Sequence, residues 1–364
     1  MKRIVFIFVL SAIMLIISCP LFVSAVDGTV SESEIGQQID DILSDYDIGY
    51  SYEEMSGLSL GGLAQMVKNS VMARLSAPLK VFRTLIIVVL FTAVTKSAGE
   101  SIFSETSSGL YNMICVITAV TVIMPQLLAV YGDALSAMER GGGFIVIFVP
   151  VFTAVTIATG GITTAGIYNM LVLGASELIV ELSEHFLVPV LSVTAVLAVS
   201  GSVFPSVSLE SIVGLLRKVI TWSMTVAMTL FTGFVSMKCT LGGKADGVAT
   251  KTARFLISGA VPVVGGAVSD AYATVKSSFD VIQGTIGTAG VVAIILIMLP
   301  PVLEILIFRA VMWTGTALAE LFSAGTLVKL MKGIDGGLAI AQSVLACYSV
   351  IFILCTGILM KCMT

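Results

Sequence analysis

Phe144-Ile145-Val146-Ile147-Phe148-Val149-Pro150-Val151 opens the stretch whose reading decides the fold, a run that continues to Lys238 with few charges. A re-spaced copy of it is legible from Phe255 to Lys361. Val149-Pro150-Val151 is followed by Val188-Pro189-Val190-Leu191, and Val261-Pro262-Val263 by Pro300-Pro301-Val302-Leu303, at one shared interval (189 − 150 = 39; 301 − 262 = 39). Thr232-Gly233-Phe234-Val235-Ser236-Met237-Lys238 has its counterpart in Thr356-Gly357-Ile358-Leu359-Met360-Lys361 at a larger offset, which places an insertion near Ala324 to Gly337. Both copies are strongly apolar. Internal repeats in such a background predict the body of a transporter or channel, built from related parts with a path between them.

Composition sets the solvent. With 57% hydrophobic residues, 12% charged residues and a mean hydropathy of +1.06, the chain lies far from the soluble norm of roughly a quarter charged. The expected fold class is an all-α polytopic membrane protein, a helical bundle with an internal repeat and helices broken at proline and glycine. Abundant glycine, 34 residues, suits helices that approach closely through small side chains. No basic face or stripe is present to bind nucleic acid. The cysteines form no CxxC pair, and the single histidine, His185, excludes a site needing two imidazoles. No metal or cofactor is expected.

In chain order, Met1-Lys2-Arg3 and the apolar run from Ile4 read as a signal peptide over residues 1–25, ending in Val23-Ser24-Ala25. An uncleaved anchor and lipidation at Cys19 are the alternatives. Residues 26–57 hold Asp27, Glu32, Glu34, Asp40, Asp41, Asp45, Asp47, Glu53 and Glu54 with no base among them, an acidic segment expected outside the cytoplasm. Residues 58–80 read as a basic amphipathic helix at the membrane surface, with Leu60, Leu63, Val67, Val71 and Leu75 on its apolar side. Residues 81–362 then form the multi-span membrane domain, with repeat copies at 144–238 and 255–361.

Within that domain the expected spans are Val81 to Thr95, Leu110 to Tyr131, Phe186 to Val203 and Val219 to Met237. Phe144 to Thr159 looks short enough to be re-entrant, and Gly166 to Glu184 carries Glu177, Glu181 and Glu184 on one face, so it lines a polar path or lies at the interface. Lys238, Lys244, Lys251 and Arg254 around the lone Asp246 read as a cytoplasmic loop. Counting every apolar segment as a crossing would put that loop outside, so one of them should not cross. Further on come Phe255 to Ala271, Ile286 to Phe322 and Leu338 to Met360. Pro262, Asp270, Glu304 and Arg309 are the candidate intramembrane functional positions. A charge inside a span costs about 2.5–3.5 kcal/mol on insertion scales and needs a partner or water. For Arg309 the alternative is snorkelling to an interface, and for Glu304 a protonated state in the packed core.

Lys251-Thr252-Ala253-Arg254-Phe255, Val261-Pro262-Val263-Val264-Gly265, Ser269-Asp270-Ala271 and Gly284-Thr285-Ile286-Gly287 resemble the stage III sporulation protein AE family of endospore-forming bacteria. The likeness extends over leader, acidic segment, amphipathic lead-in and membrane body, and none of its motifs is a catalytic signature. The resemblance implies the large polytopic member of a mother-cell membrane complex. Its partners would be other stage III sporulation membrane proteins, a forespore membrane protein met across the intermembrane space, the lipid bilayer and further copies of itself. Such an assembly would act as a channel or secretion-like apparatus sustaining the engulfed forespore.

Other function classes stay in view. The chain lacks HExxH, GxGD, a GxSx element with a usable histidine and a GxxxxGK[ST] phosphate loop, so no enzyme is expected. A secondary transporter would bind substrate at backbone freed by Pro150, Pro189, Pro262 and Pro300-Pro301. A non-conducting membrane scaffold is the third reading.

Overall fold

The computed structural model describes residues 76–102, 105–203, 209–260 and 265–363, with single positions at 62, 65 and 72. The expected signal peptide, the acidic segment, most of the amphipathic lead-in and Pro262 lie outside the described residues. Those that are described are almost wholly helical: α1 (Ser76–Ile102), α2 (Glu105–Ala158), α3 (Ile162–Leu182), α4 (Val188–Val203), α5 (Leu209–Ala260), α6 (Gly265–Leu321) and α7 (Gly325–Met363). The protein is an all-α polytopic membrane protein. Five stretches are long and apolar enough to cross a bilayer: Met113–Ala158, Ile162–Val203, Ser211–Ala253, Ser269–Leu321 and Gly325–Lys361.

These helices are longer than the sequence led us to expect, because segments read as separate are joined. The 54 residues of α2 contain both the second expected span and Phe144 to Thr159, running through Pro125 and Pro150. The 57 residues of α6 run through Pro300 and Pro301. Broken helices at these prolines are therefore not found. A helical proline removes one hydrogen bond and crowds the preceding turn, and packing against neighbours absorbs that cost inside a bundle. Pro189 is treated differently: Ser183–Leu187 forms a π-helical turn just ahead of it, joining α3 to α4 as one run.

Among the described residues, two tight turns reverse the chain. Gly160 adopts φ +90°, where Gly161 N–H donates to the Thr156 carbonyl at 3.0 Å and closes α2. Ser323 takes φ 55°, and Ala324 N–H donates to Ala319 at 2.8 Å to close α6. Both are left-handed C-caps of the Schellman kind. The helices do not confirm the repeat at the 112-residue offset that separates its proline anchors (262 − 150 = 112). Shifted by it, the Gly160-Gly161 turn falls at positions 272 and 273, deep inside α6, so helix boundaries do not repeat with the sequence.

The segment Lys238 to Arg254, expected as a loop, is the continuation of α5. Val235, Cys239, Gly242 and Asp246 recur at helical spacing and are buried or in tight contact, while Lys244 and Lys251 face outward. The bases thus mark the exposed side of a packed amphipathic helix. Asp246 reaches across to the start of α3, accepting from Thr163 N–H at 2.9 Å, Thr164 N–H at 2.8 Å and the Thr164 hydroxyl at 2.7 Å. Gly161 has no side chain with which to cap α3, so the cap comes from another helix. Loss of a helix cap costs about 0.5–2 kcal/mol. Asp246→Ala should accordingly lower the thermal unfolding midpoint of the purified protein by several degrees, and Asp246→Asn by less, since the amide oxygen still accepts.

The core fills the space between α2, α3, α6 and α7. Phe144, Phe148 and Phe152 stack along α2 with centroids 5.3 and 5.6 Å apart, Phe352 meets them edge-on from α7, and Tyr168 closes the series from α3. Buried polar groups are paired between helices. Tyr168 bonds Thr356 at 3.0 Å, Ser176 bonds Tyr348 at 2.9 Å, and the Gln283 amide donates to Thr156 at 3.0 Å.

Candidate functional site: a buried arginine clamp

Exposed charges on the outside of the bundle collect in a belt. Gly142 packs beside Ser176 and Tyr348, Gly337 beside Tyr131 and Thr194, Gly336 beside Val213, and Gly141 beside Met298, which fixes the relative heights of α2 to α7. On that alignment Asp133, Glu139 and Arg140 of α2, Glu177 and Glu181 of α3, and Lys218 of α5 lie at similar heights, all exposed. To one side of the belt, uncharged runs span 141–158, 219–237, 281–303 and 336–360. Their lengths of roughly 27 to 37 Å at 1.5 Å per residue bracket a hydrocarbon core of about 30 Å.

Beneath the belt, inside the bundle, lies the most highly charged interior contact. Arg309 of α6 is 5% exposed and donates from Nε to Asp335 Oδ1 at 2.7 Å and from Nη1 to Gln342 Oε1 at 2.6 Å. Its guanidinium also stands 5.0 Å over the Trp313 ring. Arg217 of α5, partly exposed, reaches the other Asp335 oxygen at 3.3 Å. One carboxylate thereby joins α5, α6 and α7. The hydroxyl of Tyr131 is buried nearby, next to Gly337 and Thr194.

Of the candidates read from sequence, the structure brings Arg309 into this clamp. Snorkelling is overturned: the guanidinium points inward because Asp335 and Gln342 satisfy it there. Glu304 is buried at 8% exposure on the same helix. Asp270 sits apart, exposed near the start of α6. Sequence reasoning missed Asp335, Arg217 and Gln342. Asp335 stood inside the supposed insertion, and Arg217 lies just ahead of the expected span Val219 to Met237. A usable signal existed in Gly333-Ile334-Asp335-Gly336-Gly337, an acid among glycines that let neighbouring helices close in. Additional Cβ atoms at Gly333, Gly336 and Gly337 would collide with Ala198, Val213 and Tyr131 respectively.

A family profile described as stage III sporulation protein AE matches residues 48–362, covering the whole described bundle. The chain belongs to the stage III sporulation protein AE family. It is 22% identical over 275 residues to stage III sporulation protein AE of Bacillus subtilis (strain 168), a likeness that covers 76% of this chain and 69% of that relative. No solved structure matches. The family assigns a part in sporulation, and the clamp and belt lie inside the matched region.

Proposed function

We propose that the protein is the polytopic membrane subunit of a channel-like or secretion-like complex that joins mother cell and forespore and sustains the forespore after engulfment. It sits in the mother-cell membrane facing the forespore, with its N-terminal segment outside the cytoplasm and meeting a forespore membrane partner. The observation that carries this reading is apolar surface on both sides of the charged belt. Trp222 and Leu230 are 71% and 69% exposed on the side where all four packed runs are uncharged, and Ile87 and Ile114 are 59% and 57% exposed beyond the belt, where the uncharged runs 106–132 and 186–203 stand beside helices bearing Arg83, Glu320 and Lys332. The exposed carboxylates, Arg140 and Lys218 between the two cannot face lipid at low cost. One bilayer covers one side, and other subunits cover the rest.

The packed interior bears on how such a subunit would work. Phenylalanines 144, 148, 152 and 352 occupy the space where a pore within one chain would run. Unbroken α2 and α6 withhold the unwound backbone that a midplane transporter site would use. Permeation therefore belongs to the assembly, and the chain by itself is non-enzymatic and non-conducting. Tagged full-length protein isolated from sporulating cells should bring down the other stage III membrane proteins and the forespore partner. In liposomes the purified protein alone should leave ions and small metabolites impermeant. Flux through the protein alone, or isolation without any companion, would overturn the proposal.

A further inference from the structure

We propose that a groove between α5 and α7 binds the phosphate of an anionic phospholipid headgroup. The groove is an open cavity of about 550 Å³ lined by Ser236, Thr240, Gly243, Lys244, Ile358 and Lys361. It stands where two uncharged runs end together, 219–237 on α5 and 336–360 on α7, at the far end of the bilayer-matched slab from the belt. That is the height at which headgroups lie. Lys244 and Lys361 approach it from different helices, both exposed, and neither forms an ion pair among the described residues.

The nearby acid does not neutralise them. Asp246 is two residues from Lys244, yet its carboxylate is turned to α3 and engaged by Thr163 and Thr164. Two unneutralised ammonium groups, the Ser236 hydroxyl and the low wall at Gly243 suit a compact monoanion. Ile358 and the neighbouring exposed Met237 and Leu241 of α5 suit the acyl chains that such an anion carries. Free phosphate shares the anionic chemistry but would leave this apolar margin unused. The site is independent of the proposed complex and would exist in the isolated protein.

The test uses full-length protein in phosphatidylcholine nanodiscs doped with spin-labelled phosphatidylglycerol or spin-labelled phosphatidylcholine, reading the motionally restricted fraction of each. Wild type should prefer phosphatidylglycerol. Lys244→Gln and Lys361→Gln should each lower that preference roughly fivefold, and the double variant roughly twentyfold, as expected for lysines at an anionic surface. Lys251→Gln, an exposed base on the same helix outside the groove, should leave it unchanged. Thermal unfolding midpoints equal to wild type confirm that the variants are folded. An unaltered preference in the double variant, or an equal loss from Lys251→Gln, would overturn the site. Displacement of phosphatidylglycerol by millimolar inorganic phosphate would overturn the lipid as its ligand.

Discussion

Asp335→Ala should strip most of the protein from the membrane fraction. The substitution takes from the buried Arg309 the carboxylate that its Nε bonds at 2.7 Å and leaves the neutral Gln342 oxygen and the Trp313 ring beside it. Removing one member of a buried pair costs about 3–5 kcal/mol, a large share of a typical stability. Arg309→Met should be milder. Asp335 then keeps Arg217 at 3.3 Å, and Arg217 is itself partly exposed to water. The combination Arg309→Met with Asp335→Leu removes both charges and should recover much of the lost protein, since a packed apolar pair is often as stable as the ion pair it replaces. Membrane levels and thermal unfolding in detergent measure all three. Full levels from Asp335→Ala together with failed sporulation would instead show that the clamp acts in the working complex and not in holding the bundle.

Gly290→Ala should be nearly as damaging, and for a steric reason. A Cβ at Gly290 would enter the Phe148 ring. That ring cannot withdraw, because Phe144 and Phe152 stack on either side and Phe352 meets its edge. Overpacking of this kind costs about 1–3 kcal/mol and more for larger side chains, so Gly290→Val should prevent accumulation altogether. Gly287 makes the contrast. Its added Cβ would meet the Met360 sulfur, on a flexible thioether that can swing aside, and would stand 3.2 Å from the Phe152 ring edge, so Gly287→Ala should fall short of Gly290→Ala. Phe148→Leu placed beside Gly290→Ala should restore part of the loss. Membrane levels across this set would establish whether α6 rests on α2 as closely as the packing requires.

Much of the membrane body was legible in the sequence because uncharged runs are long and unambiguous. Val219 to Met237 lies within α5, Leu338 to Met360 within α7, and Phe186 to Val203 covers α4 and the end of the π-helical turn ahead of it. Connections were misread for one physical reason. Glycine and proline were taken as punctuation, as they are in water, whereas between membrane helices glycine is a contact surface. Gly141 and Gly142, inside the glycine run just ahead of Phe144, are where α2 meets Met298, Tyr348 and Val180. The basic stretch after Lys238 was assigned by charge alone, and its buried stripe of Cys239, Gly242 and Asp246 escaped notice. At the clamp, Arg309 was visible as a costly residue, but its acid lay on another helix. A single sequence records no pairing between distant positions.

The belt of Asp133, Glu139, Arg140, Glu177, Glu181 and Lys218 works as a waterline. Sinking the protein by one helical turn, about 5.4 Å, would draw the lowest of these exposed charges into the margin of the hydrocarbon, where the cost climbs with depth toward about 2.5 kcal/mol or more apiece at the centre. Raising it by a turn would lift Trp222 and its apolar neighbours into water. The chain is therefore pinned in depth, free to rotate and drift in the plane of the membrane but not to bob through it. On the placement proposed above, a subunit docked on Ile87 and Ile114 meets them at a constant height above the lipid.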